Sequence, residues 1–126
     1  MPVNWITKQQ SVVALSLTKA EYIAMSETAK DIQWFRGVLQ ALGKVPAQGT
    51  VMHMDNNGAH LLAQDARYHP RTKHIGVCFH YIRDCVASGD IKLEQVSTDL
   101  QVADILTKPL GPNKVWEGNL RLCLST

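Results

Sequence analysis

A long helical pattern over residues 18–42 constrains the fold of this chain most, because strand-type and helix-type segments alternate after it. Gly43 can end this helix, since glycine readily adopts the left-handed conformation that follows many helices. The next segments are a strand over 50–55, a helix with apolar residues at 75, 79, 82 and 86 that Gly89 ends, and a strand over 91–96. Strands and helices that alternate in this way predict an α/β protein.

Other segments give weaker local signals. They are a strand over 3–8, a short helix from Asn57 to near Gln64, and a final helix over 113–124. Thr98 and Gln101 have the spacing of a capping box, which predicts that a helix begins there, after the strand over 91–96. Pro109 must end that helix, because proline cannot continue the hydrogen-bond ladder.

The composition is that of an ordinary globular domain. The 126 residues are 45% apolar and 19% charged, and the net charge of +2 leaves any nucleic-acid footprint local. The N-terminus lacks the apolar stretch of a signal peptide, and no apolar run approaches the ~18 residues of a membrane span. We therefore expect a soluble intracellular protein, in the cytoplasm or nucleus, with no membrane association.

Aromatic and sulfur-containing side chains are expected to help fill the core. Cys78 and Cys85 lie seven residues apart on one face of the second helix, which favours their burial. With Cys123 they make an odd number without a C-x-x-C pair, so we expect reduced thiols and no disulfide framework. Trp34, Phe35 and Trp116 are expected in the core as well.

Two carboxylates are candidates for a functional site because of where they lie. Glu21 has the spacing of a capping box with Thr18, yet it also falls in line with Met25 and Ile32 on the apolar stripe of the long helix. A charge there is costly unless something pairs with it, and a metal ion would meet that need. Asp55 ends a strand, where ligands collect in open α/β sheets, although an aspartate also commonly opens a turn.

Asp104 and a basic segment are the remaining candidates. Asp104 lies early in a predicted helix, where the helix dipole favours an acid whether or not it has a function. The segment over 67–74 interleaves cations with rings, as do surfaces that follow a nucleic-acid backbone. Its candidate substrate contacts are Arg67, Arg71, Lys73 and His74. The alternative for this segment is a solvated polar loop.

Four short motifs occur in a fixed order, with the sequences LSLTKAEY at 15–22, MDNN at 54–57, RTKHI at 71–75 and ADILTKPL at 103–110. In order and spacing they resemble the ribonuclease H domain at the end of copia-type retrotransposon polyproteins. The resemblance runs from about Trp5 to Leu110, which is most of the chain. Lys19 and Gly76 depart from the family pattern, which usually has acids at both positions.

The resemblance implies a ribonuclease H-like fold, with an incomplete mixed sheet packed with helices, in one truncated domain over residues 1–126. It implies a nuclease, a hydrolase that cleaves the RNA strand of RNA–DNA hybrids with Mg²⁺ or Mn²⁺. Glu21, Asp55 and Asp104 match three metal-binding, catalytic carboxylates of that family. A fourth lies on the first of two strands that would precede Met1, so we expect cleavage by this chain to be weak or absent.

Two other functions and a mode of assembly follow from the same pattern. The first alternative is a non-catalytic module that binds hybrids or other nucleic acid, and the second is an interaction protein that reuses the scaffold. If the first two strands of the family are missing, the strand over 50–55 has an unpaired edge, which recruits another chain. We therefore expect a homodimer. The rival arrangement moves the strand over 3–8 to a place beside that edge.

Overall fold

Three α-helices and a two-stranded sheet form the described part of this chain. The computed structural model describes residues 3–7, 9, 17–44, 46–55 and 73–123, with side chains from residue 20 in the first helix and from 76 in the second. The elements are α1 (Leu17–Ala41), β1 (Thr50–Met54), α2 (Lys73–Ala87), β2 (Ile91–Gln95), two 3₁₀ helices (Thr98–Leu100 and Val102–Leu106) and α3 (Pro112–Arg121). The α/β class is confirmed, and the helix predicted over 57–64 lies outside the described residues.

The two strands are parallel neighbours, and their pairing begins with Thr50 opposite Ile91. Parallel strands need a crossover connection, and α2 lies within that connection. Both strands therefore end at the same edge of the sheet, where Asp55 follows β1 and the 3₁₀ helices follow β2. At that edge the N–H of Val96 donates to the carbonyl oxygen of Met54 at 2.7 Å, which extends the pairing beyond the last strand residue.

The core lies where α1 and α2 meet each other and the sheet. The rings of Tyr22 and Phe79 join the two helices edge to face, with their centroids 6.0 Å apart. The buried cluster consists of Tyr22, Met25, Ala29, Met52, Met54, Ile82, Cys85 and Ile91. Cys78 is buried too, so the predicted burial of both cysteines in α2 is confirmed. None of the described helices is both long and apolar enough to cross a membrane.

Helix α1 ends at Gly43, as predicted. The φ of Gly43 is +71°, a left-handed conformation that glycine adopts without steric cost. The N–H of Gly43 donates to the carbonyl oxygen of Gln40 at 3.0 Å, and the N–H of Lys44 donates to that of Leu39 at 2.8 Å. This pair of hydrogen bonds is a Schellman motif, which satisfies carbonyl groups at the helix end and turns the chain toward β1.

A polar network ties α1 to the edge of the sheet where the strands begin. The Arg36 guanidinium donates to the Gln48 carbonyl oxygen at 3.0 Å and lies 3.3 Å from an Asp90 carboxylate oxygen. Gln33 and Ser88 each donate to the other oxygen of that carboxylate at 3.0 Å. These hydrogen bonds hold the pKa of Asp90 below its ordinary value, and the charge of Arg36 adds to the effect. The second half of α1 is therefore anchored at the start of both strands.

One prediction about the sheet is wrong. Residues 3–7 form no strand, and the side chain of Trp5 is exposed there. A short apolar segment becomes a strand only when an edge pairs with it, and neither described strand pairs with this one. Within the described residues the sheet is a parallel pair, and the expected mixed sheet stays a prediction.

The helix predicted after β2 is also wrong in its type. The segment forms two 3₁₀ helices that are separated at Gln101, whose ψ of 101° is extended and breaks the helical path. Thr98 is the first residue inside the first of them and Gln101 is its C-cap, so the predicted capping box, which needs Thr98 at the N-cap, does not form. Trp34 and Trp116 are 64% and 59% exposed, so neither belongs to the core as expected.

Candidate functional site

The three predicted carboxylates lie on elements that meet where both strands end. Asp55 directly follows β1, and Asp104 lies in the second 3₁₀ helix after β2. Glu21 lies near the start of α1, and the other end of that helix leads into the start of β1. The start of α1, with Glu21, therefore lies toward the edge where β1 ends. Open α/β sheets commonly place ligand sites at this edge.

Glu21 has the least satisfied carboxylate of the three. Its Oε2 atom is buried and has no hydrogen-bond partner within the described part of the chain. Burial raises the pKa of Glu21 above its ordinary value, the negative charge of Asp55 raises it further, and the positive charge of Lys108 opposes both effects. Glu21 and Asp55 are thus close enough to repel each other, and a partly buried carboxylate without a bonded cation is costly.

Asp104 forms an ion pair with Lys108. The Lys108 Nζ lies 2.9 Å from the Asp104 Oδ2, and the backbone N–H of Lys108 donates to the Asp104 carbonyl oxygen at 2.9 Å. The aspartate side chain is 15% exposed and the lysine side chain 48%. The ammonium group therefore reaches inward from solvent to a mostly buried carboxylate, and its field also acts on Glu21. Sequence reasoning missed Lys108, although the spacing of four residues from Asp104 is a signal for such a pair.

The donor chemistry suits a hard divalent cation, but the described geometry suits it only in part. Carboxylate oxygens are the ligands that Mg²⁺ and Mn²⁺ take, and the orphaned Oε2 of Glu21 is a donor of this kind. Glu21 and Asp55 are close to each other, whereas Asp104 is bonded to Lys108. Among residues 20–44, 46–55 and 76–123, no three acidic, histidine or cysteine side chains are placed to hold one ion.

Helix α3 supports the Asp104 side of this cluster. A Cβ atom on Gly118 would lie 2.5 Å from Ile105 Cγ2, so the helix can approach the second 3₁₀ helix because this residue has no side chain. Lys114 forms an ion pair with Asp99 at 2.5 Å, which joins α3 to the first 3₁₀ helix. A cavity of about 130 Å³ lies between these elements and is lined in part by Asp104.

The predicted substrate contacts are placed only in part. Arg67 and Arg71 lie outside the described residues. Lys73 and His74 are the first two residues of α2, and their side chains are not among those described. Because α2 leads back to the start of β2, its first residues lie toward the edge where β1 ends. The backbone therefore brings Lys73 and His74 toward the same edge as Asp55.

Comparison with known proteins identifies this chain as a region of a retrotransposon polyprotein. The chain is homologous to retrovirus-related Pol polyproteins from plant transposons. The relatives include that of transposon TNT 1-94 from Nicotiana tabacum, which is 42% identical over 112 residues, or 89% of this chain. Those of transposons RE2 and RE1 from Arabidopsis thaliana are each 40% identical over 110 residues, or 87% of this chain.

The matched region is a small part of each relative. The chain spans 8% of the length of each of these three polyproteins. No family model matches the chain, and no solved structure matches it. Similarity over most of the chain to three transposon polyproteins establishes that it belongs to this group of retroelement proteins. The geometry of the site bears on which part of the polyprotein it is and on its activity.

Proposed function

We propose that this chain is a ribonuclease H-like region of a copia-type retroelement polyprotein that binds RNA–DNA hybrids and cleaves their RNA strand weakly or not at all. The observation that carries the proposal is the proximity of Glu21 and Asp55 at the edge of the sheet where the strands end, together with Lys108, whose charge acts on Glu21 and which is bonded to Asp104. The order of four sequence motifs supports it, as does the homology to transposon polyproteins.

Glu21, Asp55 and Asp104 are the proposed catalytic and metal-binding residues. When Mg²⁺ or Mn²⁺ is bound in sites of this kind, it activates the attacking water and stabilises the leaving oxygen. Glu21 and Asp55 offer oxygen donors whose mutual repulsion a cation would relieve. Asp104 is bonded to Lys108 and can join them only when that ion pair opens. Weak or absent turnover follows from this arrangement, since the three carboxylates do not converge.

A cleavage assay tests the catalytic part of the proposal. A labelled RNA–DNA hybrid is incubated with the chain in Mg²⁺ and, separately, in Mn²⁺, together with the variants Asp55→Asn and Glu21→Gln. We expect little or no cleavage above the level of these variants, because misplaced carboxylates cannot supply the electrostatic stabilisation that the reaction needs. Robust cleavage that both substitutions abolish would show a competent metal site and overturn the expectation of low turnover.

The proposed substrate surface is the basic segment with Arg67, Arg71, Lys73 and His74. Cations there would contact phosphate groups, because the start of α2 lies toward the edge that holds the carboxylates. Contacts to phosphates release counterions, so affinity for a hybrid should fall steeply with salt, with a slope of about −0.9 per contact for duplex DNA. Affinity should depend little on the base sequence, because phosphates carry no sequence information.

Fluorescence anisotropy with a labelled hybrid at several salt concentrations tests this surface. Replacing Arg71 and Lys73 with Ala should weaken binding and reduce the salt slope by about 2, or about one for each phosphate contact. The matched control replaces Lys44 and Lys92, two exposed cations away from the strand ends, and removes the same net charge. An unchanged slope in the first double variant, or an equal change in both, would remove the segment from the proposed surface.

The second candidate is a binding module without catalysis, and the Asp104–Lys108 ion pair favours it. A cluster whose third carboxylate is held by a lysine can keep a basic surface nearby and lose turnover. Salt-sensitive hybrid binding without cleavage in either metal would identify this function. If hybrid, duplex and single strand all fail to bind at low salt, the chain is better explained as an interaction protein that reuses the scaffold.

A further inference from the structure

We propose that Lys108 is an internal counter-ion of the carboxylate cluster and competes there with a divalent cation. This inference rests on the proposed function, because it concerns the same three carboxylates. It explains the partial fit of the cluster to a metal ion by a residue of the chain itself. The juxtaposition that carries it is the ammonium group of a half-exposed lysine, which is bonded to the mostly buried Asp104 carboxylate and whose charge acts on Glu21.

The first argument is the geometry of the ion pair. Lys108 lies one helical turn after Asp104, and the N–H groups of Thr107 and Lys108 both donate to the Asp104 carbonyl oxygen, at 3.2 and 2.9 Å. These backbone bonds fix the separation at which the lysine can fold back onto the carboxylate. The lysine stem remains half exposed, so the ammonium group can leave for water without moving the backbone.

The second argument is the charge around the cluster. Glu21, Asp55 and Asp104 bring three negative charges to one edge, and the buried Oε2 of Glu21 has no hydrogen-bond partner among the described residues. Lys108 acts on Glu21 and is bonded to Asp104, so one cation serves two carboxylates. Lys114, the next lysine along the chain, is bonded to Asp99, and its charge acts on Asp104 from there.

Competition follows from these two arguments. A divalent cation placed between the carboxylates would repel the Lys108 ammonium group and would need the Asp104 oxygen that the lysine now holds. Binding of the cation therefore requires the lysine to swing into solvent, and the lost ion pair subtracts from the affinity. A partly exposed ion pair of this kind contributes up to about 1 kcal/mol, or about fivefold in affinity.

Isothermal titration calorimetry with Mn²⁺ on the full chain tests the proposal. Lys108→Gln should bind Mn²⁺ about fivefold more tightly than the unaltered chain, and Lys108→Arg, which keeps the charge, should not. Lys30→Gln is the matched control, since it breaks an ion pair with Glu27 on exposed α1 surface and removes the same charge. Adding Asp55→Asn to Lys108→Gln should abolish the gain. Lys108→Met replaces Lys108→Gln if the latter loses its helical circular-dichroism signal.

Each outcome decides a different statement. If Lys108→Gln binds Mn²⁺ as weakly as the unaltered chain and Lys30→Gln, the competition is overturned while the proposed metal site stands. If neither the unaltered chain nor any Lys108 variant binds Mn²⁺, the metal site of the proposed function fails and the competition fails with it. Tighter binding by Lys108→Gln that Asp55→Asn removes establishes both.

Discussion

The surroundings of Glu21 disfavour the ionised form of its carboxylate. Burial and the neighbouring Asp55 both raise its pKa, so the folded chain binds a proton at Glu21 more readily than the unfolded chain. Its contribution to stability is therefore full below the unfolded pKa and is lost as the pH rises through the raised, folded pKa. At neutral pH the ionised side chain weakens the fold unless a cation is bound.

Glu21→Gln should therefore stabilise the chain at neutral pH in the absence of divalent cations. The neutral amide avoids the cost of a buried charge and its repulsion by Asp55. Thermal unfolding followed by circular dichroism should give a higher Tm for the variant at pH 7 and a smaller difference near pH 4. Glu27→Gln, on the exposed face of α1, is the control and should show no such gain. A lower Tm for Glu21→Gln at pH 7 would contradict the argument.

At the scale of a single residue, sequence reasoning found carboxylates and missed their partner. Glu21 could be predicted to face inward, because its helical position falls in line with Met25 and Ile32. Lys108 was not predicted, because the effect of its charge on Glu21 depends on how the segment after β2 folds. No local spacing carries that information. The pairing of Lys108 with Asp104 was within reach, since they are four residues apart.

At the scale of the elements, the sequence sufficed to predict a helix where a segment has one apolar face and a residue that ends it. Helix α1 ends at Gly43, and Gly89 follows α2 with a φ of +79°. Strands β1 and β2 could be predicted as elements but not as the neighbours they form, because pairing is a property of two segments. The strand predicted over 3–8 was wrong for the same reason. Trp34 and Trp116 were misplaced because residue type alone does not show which side of a helix packs.

The contact between α3 and the second 3₁₀ helix gives a prediction at this scale. Gly118→Ala should destabilise the chain by about 1–3 kcal/mol, because the added Cβ would lie 2.5 Å from the branched Ile105 Cγ2. Gly37→Ala is the matched control, since Gly37 lies within α1 and its added Cβ would meet nothing within 4 Å. It should stabilise the chain by about 0.5–1 kcal/mol through helix propensity.

Urea unfolding of the two glycine variants decides the outcome. The midpoint should fall for Gly118→Ala and rise for Gly37→Ala, with similar slopes for both. Equal midpoints would show that Ile105 yields to the added methyl group and that α3 does not depend on this close approach. If Gly118→Ala displaces Asp104, any affinity for Mn²⁺ should also fall, because α3 supports that side of the cluster.

At the scale of the whole molecule, apolar surface remains uncovered in the described part of the chain. Trp34 and Val38 of α1 and Leu42, the residue directly after it, follow one another at intervals of four, so they form a continuous exposed stripe. Val51 is exposed on β1, in a sheet of two described strands. Edges and apolar stripes of this kind recruit another chain. The rival arrangement, with residues 3–7 paired beside β1, is contradicted because those residues form no strand.

We propose that a second copy of this chain covers the α1 stripe, and we expect a homodimer of twice the 14.0 kDa of the monomer by multi-angle light scattering. A two-fold pairing lets the same stripe on each copy cover the other, and a stable interface of this type buries about 1,200–2,000 Å² in total. Trp34→Glu combined with Leu42→Glu should give monomers, because charges would face each other across the stripe. Trp116→Glu, an exposed tryptophan on α3, is the control and should remain dimeric. A 14.0 kDa species for the unaltered chain that persists on concentration would rule out the dimer.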